Sequence, residues 1–122
     1  MDRALPTAGA HSVFGAIYQA WSRLGWETGV LGFPLTNELI PPDGVGRFNA
    51  FEGGSIYWSP RTGAHAVYGA ILARWRALGW EFSYLGYPTS DEYAVPGGRR
   101  TDFERGYVQW DARTGAVIDR RY

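Results

Sequence analysis

Apolar residues recur at helical spacing twice along this chain. Val13, Ile17, Trp21 and Leu24 fall at i, i+4, i+8 and i+11, one stripe of an amphipathic helix, and Val67, Ile71, Trp75 and Leu78 repeat the stripe. Gly25 and Gly79 follow the last apolar position, where a left-handed C-cap is expected, so the spacing predicts two helices of about three turns each. Elsewhere the pattern is that of strands. Phe48 to Glu52 and Ser55 to Trp58 flank Gly53-Gly54, while Thr101 to Glu104 and Tyr107 to Trp110 flank Arg105-Gly106. Two short β-rich runs about a Gly-containing pair predict a hairpin in each half. A looser turn, Ser59-Pro60-Arg61-Thr62-Gly63 or Asp111-Ala112-Arg113-Thr114-Gly115, then leads to a third strand at Ala64 to Val67 and at Ala116 to Asp119. Alternation along the second hairpin strand puts Ile56 and Trp58 on one face and Tyr57 on the other, so with Trp58 inside, Tyr57 is expected outside.

These elements are copies of one another. Gly9-Ala10-His11 recurs 54 positions on as Gly63-Ala64-His65, and Trp21-x-x-Leu24-Gly25-Trp26-Glu27 recurs as Trp75-x-x-Leu78-Gly79-Trp80-Glu81. Leu31-Gly32-Phe33-Pro34 matches Leu85-Gly86-Tyr87-Pro88, and Thr36-Asn37-Glu38 matches Ser90-Asp91-Glu92. The offset shortens by two residues between Pro41 and Thr101, a Pro/Gly-rich stretch of the kind that tolerates length change, after which Phe51 answers to Phe103 and Trp58 to Trp110. Pro6-Thr7-Ala8-Gly9 resembles Pro60-Arg61-Thr62-Gly63, and Arg113-Thr114-Gly115-Ala116 starts a third copy. Residues 1–122 therefore read as a single domain of repeats: the first about 9–62, the second about 63–114, and a partial third at 115–122. The fold class is α+β, each repeat a short antiparallel β-meander with one amphipathic helix. One unit cannot hide both its sheet face and its helix stripe, so stacking or a propeller- or ring-like packing is expected. In this phase both ends are open joints, which points to a homo-oligomer or to a larger parent array.

Composition narrows the functional classes. Aromatic residues make up 16% of the 122 residues, with six Trp, enough to supply much of the burial a short chain otherwise lacks. Twelve basic residues balance twelve acidic ones, so no global field recruits nucleic acid or anionic lipid. There is no cysteine, hence no disulfide framework and no thiol chemistry. The opening residues lack an apolar core of signal-peptide length, and no stretch approaches a membrane span.

The linked motifs resemble a known family. Leu31-Gly32-Phe33-Pro34 and Leu85-Gly86-Tyr87-Pro88, with the preceding Trp-x-x-Leu-Gly, the following Thr/Ser-x-Glu and the later Phe-x-x-Gly-x-Ile/Val-x-Trp, look like the LGFP repeat over nearly the whole chain. The resemblance implies an exported, actinobacterial-type accessory module, extracellular or in the cell wall, often in tandem and beside a cell-wall hydrolase or mycolyl-transferring domain. The implied task is to hold a protein to cell-wall polysaccharide such as arabinogalactan.

Candidate binding residues are repeated too. Trp58 and Trp110, beside Tyr57 and Gln109, could stack an indole on the apolar face of a sugar ring, against the plainer alternative that they are core. Glu38 and Glu92, with neighbours Asn37 and Asp91, could accept hydrogen bonds from sugar hydroxyls, or could simply cap backbone N–H groups of the loop. Glu27 and Glu81 read as solvated or Arg-paired, and Arg99-Arg100 and Arg120-Arg121 as solvated charge. His11 and His65 lack a second ligand at zinc spacing, so no metal is assigned, and no cofactor either. Two acid–base carboxylates need surroundings that push their pKa values apart, whereas duplication gives Glu38 and Glu92 matching settings. The expected function is a non-catalytic, lectin-like module for cell-wall glycan. An assembly scaffold and a small glycan-acting hydrolase are the alternatives.

Overall fold

The computed structural model describes residues 3–5 and 9–122, and side chains from His11 onward. The expected likeness of Pro6-Thr7-Ala8 to the later turns lies outside the described residues. The chain runs β1 (Arg3–Leu5), β2 (Gly9–His11), α1 (Gly15–Arg23), β3 (Arg47–Ala50), β4 (Gly54–Ser59), β5 (Gly63–Tyr68), α2 (Gly69–Leu78), β6 (Tyr93–Val95), β7 (Gly98–Phe103), β8 (Gly106–Asp111) and β9 (Val117–Arg121). A short 3₁₀ turn follows each helix, Trp26–Thr28 and Trp80–Phe82. All pairing is antiparallel: β1-β2, β3-β4-β5 and β6-β7-β8-β9. The class is thus α+β, and among the described residues the sheets are open and no ring-like closure is seen.

Two local expectations change. Val13 and Val67 precede the helices, Val67 lying in β5, and both are nevertheless buried. Strand β6 was not anticipated from sequence. Its counterpart in the first copy is a single bridge, Leu39 to Phe48, made by reciprocal backbone bonds of 2.8 and 2.9 Å.

Each Leu-Gly-aromatic-Pro loop is a nest built by the elements around it. The indole N–H of Trp21, from α1, donates to the Gly32 carbonyl at 3.1 Å, and Trp75 of α2 donates to Gly86 at the same distance. From the hairpin side, Glu52 accepts the Phe33 N–H and Glu104 the Tyr87 N–H, both at 3.0 Å. Backbone bonds from Gly53 to Leu31 (2.8 Å) and from Arg105 to Leu85 (3.0 Å) close the loop onto the hairpin turn. Glycine is required in the second place for two reasons. Its φ is +71° at Gly32 and +80° at Gly86, and a Cβ would stand 2.7 or 2.6 Å from the glutamate oxygen. Leu31, Leu85, Trp21 and Trp75 are fully buried beneath the loops.

Two cores form around these nests, and the β3-β4-β5 sheet belongs to both. Ile56, Ala64 and Ala66 face Val13, Ile17 and Trp21 on one side, while Tyr57 and Val67 face Ile71 and Trp75 on the other. Helix α2 then presses against β8 and β9, and Val108 of β8 with Phe103 of β7 completes the second core. The order of layers is α1, central sheet, α2, C-terminal sheet. Each fully buried Leu, Ile or Val stabilises this stack by about 1.5–3 kcal/mol. Tyr57 is accordingly not outside. It is stacked on Phe48 (centroids 4.8 Å apart, 5° between planes) and meets Trp75 edge-on at 4.8 Å.

The face of the C-terminal sheet that corresponds to Phe48, Ala50 and Tyr57 carries Arg100, Asp102 and Gln109 instead. Arg100 donates to Gln109 at 2.9 and 2.6 Å and lies 3.8 Å above the Tyr107 ring, and Tyr93 donates to Asp102 at 3.0 and 2.9 Å. That face carries polar partners in place of the aromatic pair of the central sheet.

Replacing Trp75 by Phe removes the indole donor while keeping a large ring, and leaves the Gly86 carbonyl unsatisfied. Urea unfolding should show a loss of about 1–3 kcal/mol. Gly86→Ala, which meets both the positive φ and the Glu104 oxygen, should lose a comparable amount, about 1–3 kcal/mol.

Candidate functional site

The chain turns from strand into helix at Gly15 and Gly69, whose φ values of +52° and +63° let α1 and α2 leave at a sharp angle. Phe14 and Tyr68 occupy the N-cap positions without offering a side-chain cap, so the first N–H groups of each helix need partners from elsewhere. In front of each helix start lies a cavity. The first, about 380 Å³, is lined by Phe14, Gly15, Ala16, Ile17, Glu38, Arg47 and Trp58. The second, about 300 Å³, is lined by Tyr68, Gly69, Ala70, Ile71, Glu92, Arg99 and Trp110. Every residue of the first has its duplicate in the second. Both volumes fall at the lower end of small-ligand pockets, about 300–1,000 Å³.

Four of the residues singled out from sequence thus converge: Trp58 with Glu38, and Trp110 with Glu92. Both indoles are half-buried, packed at one edge on the cores and open to the cavity at the other. Neither the fully core nor the fully exposed expectation describes them. The remaining three sit elsewhere. Tyr57 is on the opposite sheet face. Asn37 accepts the Ser12 N–H at 3.0 Å, with His11 Nδ1 at 3.3 Å, and Asp91 accepts the Ala66 N–H at 3.0 Å, so both act as backbone caps for the strand entering the helix.

Arg47 and Arg99 were not recognised as site residues in the sequence, and Arg99 is not the solvated charge expected there. Its Nε lies 3.0 Å from Glu92 Oε2, and its pKa is raised, first by that hydrogen bond, with Tyr68 contributing. Burial, and after it Glu92, raises the Tyr68 phenol, and Arg99 offsets part of the rise. In the first cavity Phe14 replaces the tyrosine, and Arg47 turns to the Gly46 carbonyl at 2.6 Å. Each cavity therefore offers an indole edge, a carboxylate and a guanidinium around one opening, a set that can stack on an apolar ring face while exchanging hydrogen bonds with its hydroxyls. Glu81, expected to be solvated, is 8% exposed, and burial raises its carboxyl.

The cap at Asp91 also joins the two copies. Arg23 of α1 donates to it through Nε and Nη2, both at 3.1 Å to Oδ2, and His65 Nδ1 is 3.5 Å away. Burial alone would raise this carboxyl, but His65, the Ala66 N–H and Arg23 together hold it below its ordinary value. A depressed carboxyl contributes stability that is complete above the ordinary carboxylate range and is lost as pH falls through the depressed value. Asp91→Asn should therefore lower the urea midpoint near neutral pH and flatten its decline into acid, leaving the part due to Asp119, which Tyr84 and Arg74 likewise hold low.

Comparison with known proteins agrees with the duplicated architecture. No curated protein matches the chain. The family model described as the LGFP repeat matches residues 5–29, 31–83 and 85–118, each later segment opening on the buried leucine of a Leu-Gly-aromatic-Pro nest. With the match covering most of its length, the chain belongs to the LGFP repeat family.

Proposed function

We propose that this chain is a non-catalytic binding module for bacterial cell-wall polysaccharide, an arabinogalactan-like glycan, held through two duplicated cavities. The observation that carries the proposal is the residue-for-residue correspondence of their linings, from Phe14 and Tyr68 through to Trp58 and Trp110. A polymer of repeating sugars presents the same ring at intervals, and matched sites on one rigid stack can engage it together. Two modest affinities then combine through effective concentration. Each half-buried indole supplies the ring platform, and the glutamate and arginine supply an acceptor and donors for hydroxyls. Such a module would serve outside the cell or in the wall, the setting associated with its family. Each cavity is lined by a single glutamate, Glu38 or Glu92, which favours binding over hydrolysis by a facing pair of carboxylates.

A second reading, an assembly scaffold or homo-oligomer, is favoured by one feature. Leu35, Leu39, Ile40 and Val45 are all exposed along the loop between α1 and β3.

Isothermal titration with soluble arabinogalactan is expected to give saturable binding. Trp58→Ala and Trp110→Ala should each weaken it by about tenfold or more, and the double variant should abolish it. Binding unchanged in the folded double variant would remove the glycan assignment from these cavities, and turnover of the polysaccharide would overturn the non-catalytic assignment.

A further inference from the structure

A third cavity, of about 470 Å³, lies at the junction where the central sheet of one copy meets the helix of the next. Phe48 and Tyr57 contribute from the sheet, Leu72 and Arg76 from α2, and Trp80, Glu81 and Phe82 from the 3₁₀ turn that follows. Its walls are aromatic on both sides. Phe48 and Tyr57 are the stacked pair, while Trp80 and Phe82 face them from a turn that leaves them 40% and 66% exposed. Trp80 has a φ of +52°, a left-handed conformation that an aromatic residue rarely adopts.

Two polar residues of this cavity are more than nine-tenths buried, and their side-chain polar atoms make no hydrogen bond or ion pair to another described side chain. Tyr57 is 5% exposed, and among the described residues its hydroxyl takes part in no hydrogen bond. Glu81 is bonded only to its own backbone N–H, and among the described residues no cation pairs with it. Asp43, which accepts the Tyr87 hydroxyl at 2.9 and 2.7 Å, adds a second carboxylate to the same neighbourhood. The Tyr57 phenol is pushed up by burial and then by Glu81 and Asp43, so the local field is negative. Arg76 is exposed and is not among the charges that act on Glu81.

A buried carboxylate without a counter-ion is unfavourable, and an aromatic box attracts cations through the negative faces of its rings. We propose that the junction cavity is a binding site for an alkylammonium group, with Glu81 as counter-ion and Phe48, Tyr57, Trp80 and Phe82 as the box. A quaternary or methylated amine suits it better than a guanidinium, because its methyl surface matches the rings and it needs no in-plane acceptors. This site is separate from the two duplicated cavities and does not depend on their ligand.

The test is titration of the full chain with choline chloride, followed by chemical-shift perturbation and calorimetry, alongside its neutral isostere 3,3-dimethylbutan-1-ol. Choline is expected to bind in the millimolar range or tighter and to shift the Trp80 indole resonance, with the neutral alcohol weaker by about tenfold. Glu81→Gln should bring choline down to the level of the alcohol. Phe82→Ala, at an exposed position where folding is not at stake, should also weaken choline by several-fold. Equal binding of choline and the alcohol, absence of choline binding at tens of millimolar, or unchanged affinity in folded Phe82→Ala would each overturn the proposal.

Discussion

The bond from a helix indole to a loop glycine holds the rest of this structure in place. Trp21 and Trp75 are the largest side chains in their cores, and each has one polar atom that burial would otherwise leave unsatisfied. The Gly32 and Gly86 carbonyls satisfy it, and in doing so fix the height at which each loop sits over its helix. The loop then meets Glu52 or Glu104 from the hairpin, so helix, loop and hairpin are tied at one point. Leucine under the loop, glycine in the left-handed turn, an aromatic ring beside the core and a proline bridging to Phe51 or Phe103 are the consequences. The family motif is thus a packing solution, and the duplicated cavities lie elsewhere, at the opposite end of each helix.

Much of this was legible in the chain, because duplication doubles every signal. The helices, the two hairpins and the third strands stand where apolar period and turn residues put them. What escaped notice depends on contacts between distant segments. Tyr57 was assigned to the surface by an alternation rule that assumes one wet face, and the central sheet has none. Arg47 and Arg99 look like ordinary surface charge until strand pairing brings them beside Trp58 and Trp110. Strand β6 is three residues long and borders Pro96, too short for a period to appear. The roles of Glu52 and Glu104 rest on bonds to residues 19 and 17 positions earlier, which no local pattern reveals.

Differences between the copies are as informative as their likeness. Phe33 and Tyr87 are counterparts, but only the tyrosine carries a hydroxyl, and it is met by Asp43 from the two-residue-longer loop of the first copy. Arg23 has alanine as its counterpart, and its bond to Asp91 likewise crosses the junction. Residues that depart from the repeat therefore concentrate where one copy touches the next, and there the aromatic junction cavity opens.

β5 leads into α2 with no intervening loop while donating one face to each core. In genetic terms this makes the array easy to lengthen from within. A tandem duplication of the stretch between one nest and the next would insert a complete layer whose two contact faces already fit their neighbours.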